Sequence, residues 1–429
     1  MEDDLDQIVH KCVAMLMSND PELIMQSAEL LQALMKERES MEKVARVVQE
    51  IAAYRGGAVL NLIWMGTLGR NPSNTGGDKA CEYFIVCTAA FQVFTSSKAV
   101  VERYLTTIGA NERESARAIY EALSSRPLST AQAFSRGKKT LLIESFIIRP
   151  LDCLANFAKG SKVFRDVIKD FAEQRSIFDT FGTFLSAEFL GDLRAEDQWS
   201  VRVALTSLAE ALAFSNDSQL WALDKGLLKL ISAIYEHSPL EDLKNKSKPA
   251  LKHKAIPVMR CTAVLMYLLE RESTLEKLRA HNALAGFKPH RRKIDAASMN
   301  CYKSHGGKVN GATILEGRYW GYMEAKLQGV PVTLALGNER IPPGYLRKQM
   351  RGKDGGMDVQ VVCSWKLCTA GEEQIGRKFG KCSVCQVARY CSKEHQSLHW
   401  RTHKVHCRAK DSGGSVGTSE RERPSEGEQ

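Results

Sequence analysis

The sequence of 429 residues has no apolar run that approaches the roughly 18 residues needed to cross a membrane. Its first six residues, Met1 to Asp6, are acidic and lack the basic and apolar stretches of a secretory signal peptide. These two absences lead us to expect a protein with no membrane span that is not secreted. A nuclear or cytoplasmic location fits both, and disulfides are rare in such reducing compartments.

Runs of β-branched residues bounded by turn signals are few before residue 287, which argues against a sheet protein. Apolar residues instead recur three and four positions apart from Leu5 to Phe287, a period typical of amphipathic helices. The fold class we expect is therefore mostly α. The first clear helix is predicted to begin after Asp20 and Pro21, because Asp can cap the free amide groups and Pro suits the first turn. Further helices are predicted over residues 41–53, 80–107, 111–124, 139–158, 161–174, 198–214, 218–236 and 257–285.

Three stretches share a design in which a polar turn separates two amphipathic helices: Leu151–Ile177, Val203–Ile234 and Thr262–Leu284. The design is similar to armadillo or HEAT solenoids, although the offsets of about 55 to 60 residues exceed the usual 40 to 47. An irregular helical bundle is the alternative. Either architecture has a surface of stacked helices, which favours protein binding over small-molecule chemistry.

Composition divides the chain into four parts. Residues 1–287 are predicted to form a helical, armadillo-like domain, and residues 288–362 a linker with glycine and proline breaks and some local structure. Residues 363–407 hold a cysteine and histidine cluster, and residues 408–429, which have few apolar side chains, are predicted to be disordered. Within the linker, the aromatic patch Tyr319-Trp320-Gly321-Tyr322 is expected to pack on the helical domain.

The net charge of +10 is a mild excess for this length and does not by itself indicate nucleic-acid binding. Basic side chains are concentrated in two runs, one from Lys244 to Lys254 and one from Lys288 to Lys293. A solvated surface explains both runs. The alternative is a nuclear-import signal or a docking site for acidic partners.

Cysteine is unevenly distributed along the chain. Six of the twelve cysteines and four of the ten histidines lie within the 45 residues from Cys363 to Cys407. The scattered cysteines are predicted to be small buried apolar side chains rather than disulfide partners: Cys12, Cys81, Cys87, Cys153, Cys261 and Cys301. The clustered ones have spacings that suit metal ligands.

The cluster consists of four close pairs that supply eight donors, enough for two tetrahedral zinc sites. These pairs are Cys363 with Cys368, Cys382 with Cys385, Cys391 with His395, and His403 with Cys407. Because residues i and i+4 share a helix face, we expect each of the last two pairs to bind one ion from a helix. On a straight helix His395 and His403 would lie about 12 Å apart, too far for one site. The spacing therefore predicts two zinc ions, with the pairs divided either sequentially or in an interleaved way.

The segment Tyr390-Cys391-Ser392-Lys393-Glu394-His395-Gln396, followed by Trp400, His403, Lys404 and Cys407, closely resembles the signature of the MYND zinc finger. The resemblance implies interleaved sites. One site would hold Cys363, Cys368, Cys391 and His395, and the other Cys382, Cys385, His403 and Cys407. The family usually has cysteine at the position of His395 and a Cys-x2-Cys pair where this chain has Cys363 and Cys368, but histidine is a competent zinc ligand.

Two further histidines, His399 and His406, fall outside the ligand pattern and are expected to be exposed. If protein side chains fill all four positions of each zinc, no position remains for a water, so we expect two structural zinc ions and no catalysis.

MYND fingers mostly recruit partner proteins by binding short proline-containing peptides, in transcriptional co-repressors and in adaptors of ubiquitin ligases. A helical body with the finger near the C-terminus also resembles the arrangement in fungal MYND-finger proteins. The resemblance thus implies a non-enzymatic adaptor that binds protein partners, with no expected role for nucleic acid or a membrane. A narrower hypothesis is that the segment from Ile341 to Leu346, which contains two prolines, docks in the finger of the same chain or a neighbour.

Two alternatives belong to other functional classes. The pairs Cys382 with Cys385 and His403 with Cys407 superficially look like one DNA-reading zinc finger, but their 17-residue gap exceeds the usual 12 and leaves the other four ligands unexplained. Some SET-domain lysine methyltransferases carry a MYND finger and resemble one another in an Asn-His-Ser-Cys segment. No histidine of this chain follows an asparagine, and the helical body lacks the strand pattern of a SET domain.

Overall fold

The computed structural model of the chain describes residues 2–18, 20–36, 41–68, 78–134, 143–171, 177–240, 256–269, 271–296, 319–330, 335–336, 339–340, 361–365, 367–368, 370–405 and 407. Several predictions fall outside these residues. They concern the basic run from Lys244 to Lys254, the segment from Ile341 to Leu346, His406, the tail 408–429, and the side chains of Cys81 and Cys301.

Most of the described residues are helical, and the fold class is mostly α, as predicted. The helices of the first half are α1 (Glu2–Leu16), α2 (Pro21–Lys36), α3 (Met41–Ala53), α4 (Ala58–Leu68), α5 (Asp78–Thr95), α6 (Lys98–Thr107), α7 (Glu112–Phe134), α8 (Arg149–Gly160) and α9 (Lys162–Phe171). Those that follow are α10 (Ile177–Gly182), α11 (Ala187–Gly191), α12 (Ala195–Ala213), α13 (Gln219–Asp224), α14 (Leu227–Glu236), α15 (Ile256–Leu268), α16 (Glu272–Ala280), α17 (Ala283–Phe287), α18 (residues 291–296) and α19 (Tyr319–Leu327).

Shorter elements complete the structure. Single turns of 3-10 helix occur at Tyr54–Gly56, Thr183–Leu185 and Lys288–His290, and a π-helical turn at Glu144–Ile148 leads into α8. The antiparallel pairs are β1 (Ala335–Leu336) with β2 (Glu339–Arg340), and β3 (Gly380–Lys381) with β4 (Arg389–Tyr390). Helices α20 (Glu372–Ile375) and α21 (Lys393–His403) flank the second pair. No helix in the described part of the chain is both long enough and apolar enough for a membrane span.

The bounds of the helices follow the sequence prediction closely in some places and depart from it in others. Helix α3 spans residues 41–53 as predicted, but the predicted helix over 80–107 is two helices separated at Ser96 and Ser97. The predicted helix over 218–236 is broken at Gly226, whose φ of +101° ends a helical turn at little steric cost. Helix α7 continues through Pro127, ten residues beyond its predicted end at residue 124.

The three stretches that resemble repeats stack in chain order. Helix α12 packs against α8 on one side and α15 on the other. The turn that follows α12 is also linked to both neighbouring stretches. Arg165 Nε of α9 donates to Asp217 Oδ1 at 3.0 Å, and Arg271 Nη1, directly before α16, donates to Asn216 Oδ1 at 2.7 Å. The body is therefore a stack of helix pairs in this region, while its assignment as an armadillo or HEAT solenoid stays a prediction.

The interior of the body is apolar and continuous from α1 to α19. The scattered cysteines with described side chains, Cys12, Cys87, Cys153 and Cys261, are each 0% exposed. Burial raises the pKa of Cys87 and of Cys261 to about 12, so both thiols stay protonated and unreactive. The prediction that these cysteines are small core side chains is confirmed for these four.

Helix α19 lies within the segment predicted as a linker. Its aromatic residues Tyr319, Trp320 and Tyr322 are buried, and the helix packs against α16 and α17. At its C-terminal end Arg279 Nε donates to the carbonyl of Leu327 at 3.0 Å. The predicted packing of this aromatic patch on the helical domain is confirmed.

Candidate metal centre

Two small turns present the first four sulfur ligands of the predicted sites. Cys363 and Cys368 lie in a loop closed by the bridge between Val362 and Gly371, where the amide of Cys363 donates to the carbonyl of Ala370 at 3.0 Å. Cys382 and Cys385 lie in the turn between β3 and β4, and the amide of Cys382 donates to the carbonyl of Ala388 at 2.9 Å. Backbone hydrogen bonds thus fix each pair in a tight turn.

The other four predicted ligands straddle the ends of α21. Helix α21 begins at Lys393 behind Ser392, whose hydroxyl accepts from the amide of His395 at 3.2 Å, so Cys391 precedes the helix. The helix ends at His403, so Cys407 follows it. The prediction that each of these pairs lies on a helix is therefore wrong, because one member of each pair lies beyond a helix terminus.

The eight side chains come together as two groups of four. One group is Cys363, Cys368, Cys391 and His395, and the other is Cys382, Cys385, His403 and Cys407. Within each group all ligand atoms lie within 4.8 Å of one another. This is the interleaved grouping, with the ends of α21 contributing to different groups.

The distances within each group suit zinc. Two sulfurs bound tetrahedrally at about 2.3 Å must lie roughly 3.8 Å apart, and a sulfur and a nitrogen about 3.5 Å apart. The Sγ atoms of Cys368 and Cys391 are 3.7 Å apart, as are those of Cys382 and Cys407. These separations are far longer than the roughly 2.05 Å of a disulfide, so the sulfurs are not paired covalently.

The histidines present different ring nitrogens to the two groups. Nδ1 of His395 lies 3.7 Å from Sγ of Cys363 and 2.9 Å from Sγ of Cys391, the second distance being shorter than a tetrahedral site requires. Nε2 of His403 lies 3.5 Å from Sγ of Cys385. Three sulfurs and one nitrogen per group form a donor set that zinc prefers in structural sites. Both groups therefore fit one zinc ion each, and filling all four positions with protein atoms leaves no open position on either ion.

Two thiols of these groups, those of Cys391 and Cys407, are weak acids. Burial raises the pKa of Cys391 to about 12 and that of Cys407 to about 11, and in each case a neighbouring cysteine adds to the shift. Zinc binds the thiolate, so loading these groups must release protons into the solvent. A segment of 45 residues buries too small a core to be stable by itself, so bound metal would supply stability that this core cannot.

His399 does not behave as predicted. It is only 7% exposed, although the sequence led us to expect an exposed helix residue. Its Nδ1 lies 3.0 Å from the hydroxyl of Tyr390, and its ring stacks on His403 at a centroid distance of 5.3 Å. A buried histidine with these contacts supports the orientation of His403 without itself belonging to a group of ligands.

The segment 363–407 is docked against the helical body. Glu102 on α6 accepts from Arg389 Nη2 at 2.5 Å and from Lys381 Nζ at 2.9 Å. Burial works against ionisation of Glu102, but the charges and hydrogen bonds of Arg389 and Lys381 outweigh it and lower the pKa of this carboxyl. Only 3% of the Arg389 side chain is exposed, so this ion pair lies largely inside the junction.

A second set of contacts joins α3 to the same segment. Arg46 Nη2 donates to the carbonyl of Cys368 at 2.5 Å, and Val362 packs on Ala45. Glu50 Oε1 lies 3.5 Å from Nε2 of His399, and burial raises the pKa of Glu50 to about 7 even though the charges of His403 and Arg46 lower it. Loop and helix of the segment are thus both tied to the body.

The junction also encloses a pocket with a volume of about 700 Å³. Helices α1 and α3 line one side, and the C-terminal part of α21 with Val405 lines the other. Much of its wall is apolar, including Val9 and Val13 of α1 and Met17 directly after it. Neither part of the chain would form this pocket alone.

The family model described as MYND finger matches residues 363–407. These residues form a MYND finger. No solved structure matches the chain. The MYND finger is a protein–protein interaction module, and its two ligand groups are consistent with binding two zinc ions.

Sequence reasoning identified all eight side chains of the two groups but none of the contacts that dock the finger. Glu102 and Arg389 are 287 residues apart, and neither stands in a pattern that singles it out. The close spacing of the cysteine and histidine pairs in the sequence indicated the two ligand groups. Arg389 and Lys381 carried no comparable signal, because arginine and lysine are mostly exposed residues and nothing in the sequence marks these two as partners of Glu102.

Proposed function

We propose that this protein is a non-enzymatic adaptor, of the transcriptional co-regulator or ubiquitin-ligase type, whose MYND finger recruits proline-containing peptides. The helical body holds a second protein partner in this proposal. A nuclear or cytoplasmic location belongs to the same proposal. Four protein donors in each ligand group support a structural role for zinc and leave no open coordination position for catalysis.

The observation that carries the proposal is the concentration of exposed apolar side chains on the finger. Nine large hydrophobic side chains are exposed among the described residues, and five of them belong to the finger. The five are Leu367, Ile375, Leu398, Trp400 and Val405. A segment of about a tenth of the chain thus carries more than half of these side chains, as expected of a surface that a partner covers.

Trp400 is the side chain best suited to a proline-containing ligand. It lies on α21 with 41% of its surface exposed. Proline-rich segments adopt an extended helix without internal hydrogen bonds and dock on surfaces lined by aromatic rings. Tryptophan is also enriched among the residues that dominate binding energy at protein interfaces. We therefore assign Trp400 the central contact with the peptide.

The junction pocket offers a continuation of this surface. Thr402 and Val405, which line it, follow Trp400 by two and five residues in the chain. A peptide that packs on Trp400 can extend toward the apolar wall formed by Val13 and Met17. In this arrangement the body contributes to recognition by the finger.

Peptide binding tests the recruitment. We expect a fluorescent proline-rich peptide with flanking leucines to bind the full chain and to bind Trp400→Ala at least about tenfold more weakly, because a central aromatic contact is lost. Leu220→Ala, which truncates a body side chain that is 42% exposed, is the matched control and should bind as the wild type does. Zinc content measured on each variant verifies that the finger is intact. Equal affinity of the wild type and Trp400→Ala would refute the assignment.

Affinity purification tests the adaptor role. The wild-type chain is compared with a Cys382→Ser, Cys385→Ser variant, which loses two sulfurs of one ligand group. We expect one set of partners to depend on the folded finger and another to be retained through the body. Identical partner lists would mean that the finger recruits nothing.

A further inference from the structure

The second basic run, from Lys288 to Lys293, is folded onto the body. A 3-10 turn at Lys288–His290 leads directly into α18. His290 Nε2 lies 2.8 Å from the hydroxyl of Ser232, and the His290 ring stacks on Tyr235 at a centroid distance of 5.3 Å. Lys293 Nζ donates to the carbonyls of Tyr235 and Glu236. Two of the five basic residues of this run thus contact α14.

The other three basic residues point away from α14. Lys288, Arg291 and Arg292 are exposed, and no described carboxylate forms an ion pair with any of them. The guanidinium of Arg291 lies 5.9 Å from the centroid of the Trp320 ring, which is itself only 3% exposed. Packing on this ring holds one cation in place at the surface and leaves its donors directed to solvent.

These cations border a concave surface with a volume of about 650 Å³. Its apolar lining comes from Leu284, Ala285, Pro289 and Trp320. Glu324 is the single carboxylate among the lining residues, so the three cations leave the concavity with a net positive charge. The surface combines a cationic rim with an apolar floor, and helices α17, α18 and α19 build it together with the 3-10 turn Lys288–His290.

We propose that this concavity is a docking site for an acidic peptide segment of a partner protein. Carboxylates of the peptide pair with Lys288, Arg291 and Arg292, and an apolar side chain between them packs on Leu284 and Pro289. Glu324 accepts a backbone N–H of the peptide. The site lies on the body and is independent of the peptide surface proposed for the finger.

A peptide fits this surface better than a nucleic acid does. A protein that binds a duplex draws its affinity from many phosphate contacts, of which about six to ten is an ordinary number, whereas this site offers three cations in one concavity. Glu324 would repel a phosphodiester backbone, which has no N–H group to donate to it. A peptide has such donors, and its apolar side chains can use the floor of the site.

The test uses the full chain and three fluorescent probes of similar length. They are a peptide rich in Glu and Leu, the same peptide with Gln in place of every Glu, and a single-stranded oligonucleotide. The key variant is the double substitution Arg291→Gln, Arg292→Gln. The matched control is Lys11→Gln, Lys98→Gln, which removes the same charge from exposed positions on α1 and α6.

We expect the acidic peptide to bind the wild type, with affinity that falls as salt is added, and to bind the Arg291/Arg292 variant at least about fivefold more weakly. The control variant and the wild type should bind alike, and the Gln peptide should bind poorly. Circular dichroism should be unchanged in both variants because all four positions are exposed. Equal losses in the two double variants would reveal unspecific charge attraction and overturn the proposal. Tighter binding of the oligonucleotide that depends on Arg291 and Arg292 would also overturn it.

Discussion

At the residue scale, Asp152 is a half-buried carboxyl whose ionisation opposes folding. Gln92 Nε2 donates to its Oδ2 at 2.6 Å. Burial raises the pKa of Asp152 from its ordinary value of 3.8 to about 6, although Arg260 and the hydrogen bond from Gln92 lower it. Because the folded state holds this proton more tightly than the unfolded state does, its contribution to stability is greatest at low pH. That contribution is lost as the pH rises through about 6.

Replacing Asp152 by Asn removes this pH dependence. Asparagine cannot ionise, and its carbonyl can still accept from Gln92. We expect the free energy of unfolding of Asp152→Asn, relative to the wild type, to rise by about 1 kcal/mol between pH 5 and pH 8 in urea titrations. The control is Asp192→Asn, which makes the same substitution at an exposed position. Parallel pH profiles for wild type and Asp152→Asn would show that Asp152 is not the titrating group.

At the element scale, the packing of α4 on α5 depends on a glycine. A Cβ added to Gly66 would lie 2.8 Å from Cβ of Cys87 and 2.9 Å from Cε1 of Tyr83. Cys87 is 0% exposed and cannot move away without displacing its neighbours. The close approach of these two helices therefore requires the absence of a side chain at position 66.

Gly66→Ala should lower the free energy of unfolding by about 1 to 3 kcal/mol, because overpacking outweighs the better helix propensity of alanine. Gly286→Ala is a matched control in α17, where an added Cβ meets nothing within 4 Å. That control should be neutral or stabilising by up to about 1 kcal/mol. Urea unfolding of both variants distinguishes the two sites. A stabilised Gly66→Ala variant would mean that the two helices can separate freely.

The bounds of the helices show which features of the fold the sequence can predict and which it cannot. Apolar periodicity located α3 to the residue and found the helix pairs, because burial of one helix face leaves a repeating pattern. It missed the break at Ser96 and Ser97, where apolar residues continue on both sides. It also ended α7 too early, at residue 124, whereas the helix continues through Pro127, since a proline removes one hydrogen bond but does not always end a helix.

At the scale of the whole molecule, the finger and the body form a continuous structure. The two ligand groups could be anticipated because each is built from close pairs, although spacing alone left two ways to divide the pairs. The docking of the finger could not be anticipated from the sequence. It depends on contacts such as that between Arg46 and the carbonyl of Cys368, which are 322 residues apart. Long-range complementarity of this kind leaves no local pattern.

The docking predicts a role for Glu102 in the stability of the entire chain. Its carboxylate is the shared partner of Arg389 and Lys381, and its lowered pKa keeps it ionised at neutral pH. A carboxyl with a lowered pKa stabilises the fold at pH values above its ordinary pKa, and this stabilisation is lost as the pH falls through the lowered pKa. The contribution of Glu102 is therefore fully present at pH 7. Glu102→Gln removes the charge and leaves the buried Arg389 guanidinium with a weaker acceptor.

We expect Glu102→Gln to lower the free energy of unfolding by about 1 to 3 kcal/mol at pH 7. Hydrogen exchange should increase in α6 and in the β3–β4 turn, because the contact that joins them is weakened. Zinc content should stay at the wild-type value, since Glu102 belongs to neither ligand group. The control is Glu121→Gln on the exposed face of α7, which should leave all three measurements unchanged. If both variants behave alike, the finger gains no stability from its contact with the body, and the junction pocket would not persist in solution.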